Sequence, residues 1–84
     1  MSKEKTLLYI NNVFHEYGLT KREIEIASLM VMKGMKNEEI AGLIRCSLVT
    51  VKQHVSGIYR KLNVNNRGEF ISTMFLNYIN SSEQ

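Results

Sequence analysis

The chain has no proline and no aspartate, only one cysteine, and only five glycines among 84 residues. With so little turn punctuation, a run of short strands has nothing to separate it, which argues against a sandwich or barrel. A single cysteine excludes an internal disulfide and supplies no metal-ligand set. No apolar run reaches the roughly 18 residues that a membrane span requires. The opening Met1-Ser2-Lys3-Glu4-Lys5 is charged but leads into no apolar core with a cleavage site, so no signal peptide is expected. These absences argue against secretion, membrane insertion, a disulfide scaffold and a self-contained zinc module. A cytoplasmic domain with no metal and no cofactor is the expectation. The only histidines are His15 and His54, and no nucleophile–base pairing is legible, so no enzyme is expected.

What is present is globular: 44% of residues are hydrophobic and 23% charged, which suits one domain, or one domain with an arm. A core this small often gains from dimerisation. The net charge is +3, and its distribution is uneven. From Ile40 to Gly68 stand Arg45, Lys52, Arg60, Lys61 and Arg67, with no carboxylate between them. The acids flank this stretch at Glu16, Glu23, Glu25, Glu38, Glu39 and Glu69. Such a basic segment fits a polyanion partner, and a solvated basic face is the plainer alternative.

Helical periodicity runs through most of the chain. Leu7, Ile10, Val13, Phe14 and Tyr17 share one arc of a helix over 3–17, closed by Gly18. Thr20 and Glu23 form a capping-box pattern that opens an almost wholly apolar helix, ended by Gly34. Asn37 is expected to cap a two-turn helix, with Glu38 and Glu39 near its positive end and Ile40, Ala41, Leu43 and Ile44 on its buried side. Arg45-Cys46 is too brief for anything but a tight turn. Ser47 is expected to cap the next helix, whose Val51, Val55, Ile58 and Leu62 form a narrow stripe. Val49, Gln53, Ser56 and Arg60 lie opposite, flanked by Lys52. After a loop at Asn63–Asn66, Asn66 and Glu69 open a last helix through Phe70, Ile71, Met74, Phe75, Tyr78 and Ile79. A polar, frayed tail is expected over Asn80–Gln84.

A two-turn helix, a minimal turn and a longer helix with a polar, basic outer face make a helix-turn-helix over about 37–56. Lys52, Gln53 and Ser56 sit at a spacing that reaches successive base edges in a major groove. An ordinary helical bundle with a hydrophilic face is the competing interpretation.

Several blocks now carry a resemblance. Leu19-Thr20-Lys21-Arg22-Glu23, Gly34-Met35-Lys36-Asn37-Glu38-Glu39-Ile40-Ala41, and Ser47 with Thr50-Val51-Lys52-Gln53-His54-Val55 resemble the LuxR/GerE-type DNA-binding domain. Ile58, Lys61-Leu62, Val64 and Arg67 continue the likeness, which covers about residues 19–72. It implies an all-α, four-helix domain over 19–80, to which the periodicity adds a helical arm at 1–18 and the polar end a flexible tail at 81–84. It implies that the helix over 48–62 enters the major groove, with base-edge roles for Lys52, Gln53 and Ser56. Phosphate contacts are implied for Thr50, for the start of the Asn37 helix, and for His54 or Arg60. His54 lies off the outer face, however, and a hydrogen bond within the domain is the expectation for it. Cys46 is expected to be a small buried thiol, and the five methionines core filler. Glu23 and Arg67 resemble a pair that ties the first helix of the family domain to its last. Lys36, Val49, Gly68 and Phe70 depart from the family pattern.

The resemblance therefore implies a sequence-specific transcription regulator acting on double-stranded DNA as a homodimer, with RNA polymerase as a further partner. The alternative is a protein-interaction module on the same scaffold. Family members often carry an upstream receiver or ligand-binding domain, for which this length leaves no room. A stand-alone regulator or a piece of a longer protein is expected, and the Met1 start favours the former. The apolar arc of the last helix is wider than one small core needs, so Ile71, Met74, Phe75 and Tyr78 are expected at the dimer contact. The arm, through Leu7, Ile10 and Phe14, competes to cover the same surface.

Overall fold

The computed structural model describes residues 3–82. They form α1 (Lys3–Glu16), α2 (Lys21–Lys33), α3 (Asn37–Ile44), α4 (Leu48–Leu62) and α5 (Arg67–Ser82), with no strand among them. The boundaries follow local chemistry. The turn after α1 passes through Gly18 at φ +81°, a conformation that costs a residue with a Cβ. The Thr20 capping box closes in both directions. The Glu23 amide donates to Thr20 Oγ1 at 3.2 Å, and the Thr20 amide donates to Glu23 Oε1 at 2.9 Å. α2 ends on Gly34, in the left-handed region at φ +62°.

α3 differs from expectation at its start. The N-cap position belongs to Lys36, and Asn37 is the first helical residue. A lysine side chain has no acceptor, so no side chain caps this helix. Only the return contact forms, with the Lys36 amide donating to Glu39 Oε1 at 2.9 Å. α4 is capped as expected, the Thr50 amide donating to Ser47 Oγ at 3.1 Å. At α5 the Glu69 amide donates to Asn66 Oδ1 at 2.9 Å, while the Glu69 carboxylate reaches Asn65 rather than Asn66. The helical backbone continues through Ser82, past the point where the polar tail was expected to begin. Glu83 and Gln84 lie outside the described residues.

α2 is the central helix, packed on α1 and α4, and α3 packs on α4. Phe14, Ile26, Met30, Ile40, Val51, Ile58 and Phe70 are fully enclosed. The Phe14 and Phe70 rings stack at 6.2 Å between centroids, and Tyr59 lies 5.9 Å from Phe70. α1 is therefore part of the core, through Ile10, Val13 and Phe14. Leu7 and Tyr17, expected on its buried arc, are exposed instead. Leu43, expected on the buried side of α3, is 60% exposed, because α4 covers only the Ile40–Ala41 side. Cys46 is half-buried rather than enclosed, and its thiol is free.

Candidate nucleic-acid interface

α3 and α4 meet through the shortest of turns. Arg45 takes the left-handed conformation at φ +58°, and the Cys46 amide donates to the Ala41 carbonyl at 3.1 Å. Ala41 is buried where the helices approach, and Val51, Val55, Ile58 and Leu62 are all enclosed. The docking of this stripe decides what remains outside. At about 100° per residue, Val49, Lys52, Gln53, Ser56 and Arg60 fall within an arc of roughly 100°, and all five are exposed. The face holds an ammonium, an amide, a hydroxyl and a guanidinium, and no carboxylate stands between Ile40 and Gly68.

The remaining expected contacts lie to the sides. Thr50 is half-buried, and its hydroxyl accepts from Ser47 Oγ at 2.9 Å. His54 is half-buried, but its imidazole makes no hydrogen bond among the described residues, so the expected internal bond is not formed. Asn37 stands in the first turn of α3, and its Oδ1 is enclosed without a partner. It helps line a cleft with Gly34, Lys36, Glu38, Tyr59 and Arg67. Burial of the Tyr59 phenol raises its pKa, against the opposing influence of the Arg67 charge.

Two long-range contacts hold the motif. Neither matches the expected Glu23–Arg67 pair. Lys61 Nζ donates to Glu23 Oε1 at 2.6 Å, tying the last turn of α4 to the first turn of α2. Arg67 Nη2 instead donates to the Met35 carbonyl at 2.7 Å, just ahead of α3. The Glu23 carboxylate is 8% exposed. Burial alone would raise its pKa. The Lys61 hydrogen bond, the Thr20 amide and the Lys61 charge outweigh that and hold it below the ordinary carboxylate value. Gly57 makes the approach feasible, since a Cβ there would stand 2.6 Å from Glu23 Oε2. Sequence reasoning passed over Gly57 and gave Lys61 no contact within the fold. A glycine in the middle of an otherwise clean helical pattern was the available signal for a close approach.

On α5, Phe75 is 60% exposed and Ile71 and Leu76 are also open. Met74, expected at the dimer contact, is 3% exposed and belongs to the core of this chain. Tyr78 is half-buried against α1, its ring edge-on to Tyr9 at 5.8 Å, while Tyr9 Oη donates to the Asn77 carbonyl at 2.6 Å. The arm thus covers one flank of the surplus and leaves the other open. An apolar groove of about 290 Å³ lies between α1, α2 and α5, lined by Thr6, Ile10, Val31, Met32, Ile71 and Phe75 among others. Among the described residues no helix is long and apolar enough to cross a membrane.

Residues 17–74 match the model of the bacterial regulatory proteins of the luxR family. The response regulator proteins VraR of Staphylococcus aureus, S. epidermidis and S. saprophyticus are each 44% identical to this chain over 57 residues. The aligned segment is 68% of this chain and 27% of each relative, so the chain spans about a quarter of the length of the curated relatives it matches. No solved structure gives a significant match. The matched segment contains α2 through α4 and the first half of α5, with both long-range contacts, and it leaves out the whole of α1. The chain therefore belongs to the luxR family of bacterial regulatory proteins, as a DNA-binding helix-turn-helix domain of that family.

Proposed function

We propose that this domain reads double-stranded DNA with α4 in the major groove and acts as a homodimer. The observation that carries this is the division of α4. Its apolar stripe is wholly enclosed, and the face left outside offers only donors, neutral side chains and cations. Lys52 suits guanine O6 and N7, and Gln53 suits the paired donor and acceptor of adenine. Ser56 lies one turn beyond Lys52. Thr50, Arg60 and the first turn of α3 at Asn37 flank this row, where amides and cations hold backbone phosphates. His54 lies on the Thr50 side, at the margin of the contact.

A two-fold contact through Ile71, Phe75 and Leu76 would remove the apolar surplus of α5 from water. It would set two copies of α4 about 34 Å apart on one side of the duplex. RNA polymerase is the further partner this role implies. A protein-interaction role would draw on the exposure of Leu43 and Val49 beside the polar face and on the open side of α5.

Selection of bound duplexes from a random pool tests the assignment, followed by titration of a selected duplex at several salt concentrations. A dimer neutralising on the order of 6–10 phosphates loses about 10³–10⁵ in affinity between 50 and 200 mM salt. Recovery of no common sequence, with a flat salt response, would instead support the protein-interaction role.

A further inference from the structure

Gly57 and Lys61 stand on α4, yet neither belongs to the row of side chains that faces outward from it. Gly57 is buried under Glu23, and the Lys61 ammonium is committed to the Glu23 carboxylate at 2.6 Å. The same carboxylate receives the Thr20 amide, so it is fixed by the start of α2 before it meets α4. Lys52, Gln53 and Ser56 ride on the helix held in this way, five to nine residues before Lys61. A helix can dock by an apolar stripe and still roll or slide by a fraction of an ångström, because packing of aliphatic groups is weakly directional. A charged hydrogen bond and a backbone seated directly on a carboxylate are directional.

We propose that Glu23, Gly57 and Lys61 are positioning residues for recognition. Together they fix the roll of α4 about its own axis, and through it the discrimination between DNA sequences, without touching DNA. This rests on the proposed reading of DNA by α4. Base pairing by side chains depends on the angle at which they meet the base edges, whereas phosphate contacts tolerate a small tilt. Loosening the clasp should therefore erode the ratio of specific to non-specific affinity more than it erodes non-specific affinity.

The test uses the full chain and a duplex selected by the parent, with a scrambled duplex of equal length as the non-specific probe. Glu23→Gln keeps shape and capping capacity but removes a negative charge. Lys61→Met keeps length but removes a positive one. Gly57→Ala leaves charge alone and displaces the carboxylate. The expected result is that all three lower the specific to non-specific ratio by on the order of tenfold, comparable to losing one good base contact. Lys61→Arg, which can still reach Glu23, should retain the parent ratio. If the two charge variants move both affinities in opposite directions and leave the ratio alone, Lys61 and Glu23 act only through net charge and the positioning role is wrong. Gly57→Ala decides the same question free of charge effects, and should it fail to fold, Lys61→Met at a part-exposed site still decides it. A parent that selects no sequence would instead overturn the DNA reading itself, so the two failures are distinguishable.

Discussion

α4 and α5 are nearly the same length, 15 and 16 residues, and both lay an apolar stripe on the same small core. They differ in what they leave outside. α4 encloses Val51, Val55, Ile58 and Leu62, and its outer row is polar or basic except for Val49. Among its described side chains α5 encloses Phe70 and Met74 alone and shows Ile71, Phe75 and Leu76 to solvent. A helix whose apolar residues are almost all used internally has an outer face free to meet a polyanion. A helix with large apolar side chains left over has an outer face that water penalises and another apolar surface would relieve. One chain of this size thus presents two kinds of outer face on neighbouring helices.

The sharpest way to break the comparison is to exchange inside for outside on α5. Phe70→Ala removes a ring stacked on Phe14 and set against Tyr59, and should cost about 3–5 kcal/mol of stability. Phe75→Ala, five residues on, should change the stability of the monomer by no more than about 0.5 kcal/mol. Phe75→Glu should abolish a dimer, with sedimentation as the measurement. A folded, dimeric Phe75→Glu protein would remove α5 from the contact. Deleting the arm cannot serve as a control for α5, because Ile10 and Phe14 are core residues and their removal would strip the core as well as the surface.

On α4 the expected effects are smaller and fall on binding. Lys52→Ala should weaken binding to a selected duplex by about 1–3 kcal/mol. Gln53→Ala should relax preference at one base pair while leaving non-specific binding nearly unchanged. Both should leave stability close to the parent's, since both side chains are exposed. Titration of each variant against a panel of single-base substitutions reads this directly. Equal affinity of parent and variants for the selected duplex would place the groove contact elsewhere.

The caps distinguish the two helices of the motif at a finer scale. Ser47→Ala should destabilise by about 1 kcal/mol, because it leaves the Thr50 amide without its acceptor. Lys36→Ser should do the reverse, by about 0.5–1 kcal/mol, since it supplies the acceptor that α3 lacks. Denaturant midpoints measure both. They also mark where sequence reasoning worked and where it did not. The Thr20 box, the Ser47 cap and the α4 stripe were legible because each is local, a matter of residues three or four apart on one helix. The start of α3 was misplaced by one residue because Asn37 is so strong a capping type that its presence outweighed its register. Which flank of a helix its neighbours cover is not written in its period. Leu43 and Met74 lie on arcs of the expected width, and only the packing of neighbouring helices decided that the first is open and the second closed. The Glu23–Lys61 contact spans 38 positions, and that from Arg67 to Met35 ends on a carbonyl that no side-chain pattern records.

The smallest expected effect concerns acid. Glu23 has its pKa lowered in the folded chain from an ordinary value of 4.5. A carboxyl whose folded value lies below its unfolded one contributes stability that is present above the unfolded value and is lost as pH falls through the folded one. The contribution of this contact should therefore be complete at pH 7, begin to fade as pH drops through about 4.5, and vanish once Glu23 is protonated in both states. Comparing the parent with Glu23→Gln isolates it, because the other carboxylates are common to both. The advantage of the parent in denaturant midpoint should shrink from pH 7 to pH 3, and an advantage unchanged at pH 3 would show that shape, not charge, holds the contact. The loss should also be uneven in space. The clasp is on α4, whereas α5 is tied to the motif by a guanidinium on a backbone carbonyl, a contact with no carboxylate to protonate. Hydrogen exchange should accordingly rise first in the last turns of α4, while the amides around Phe70 and Met74 keep their protection until the whole core opens.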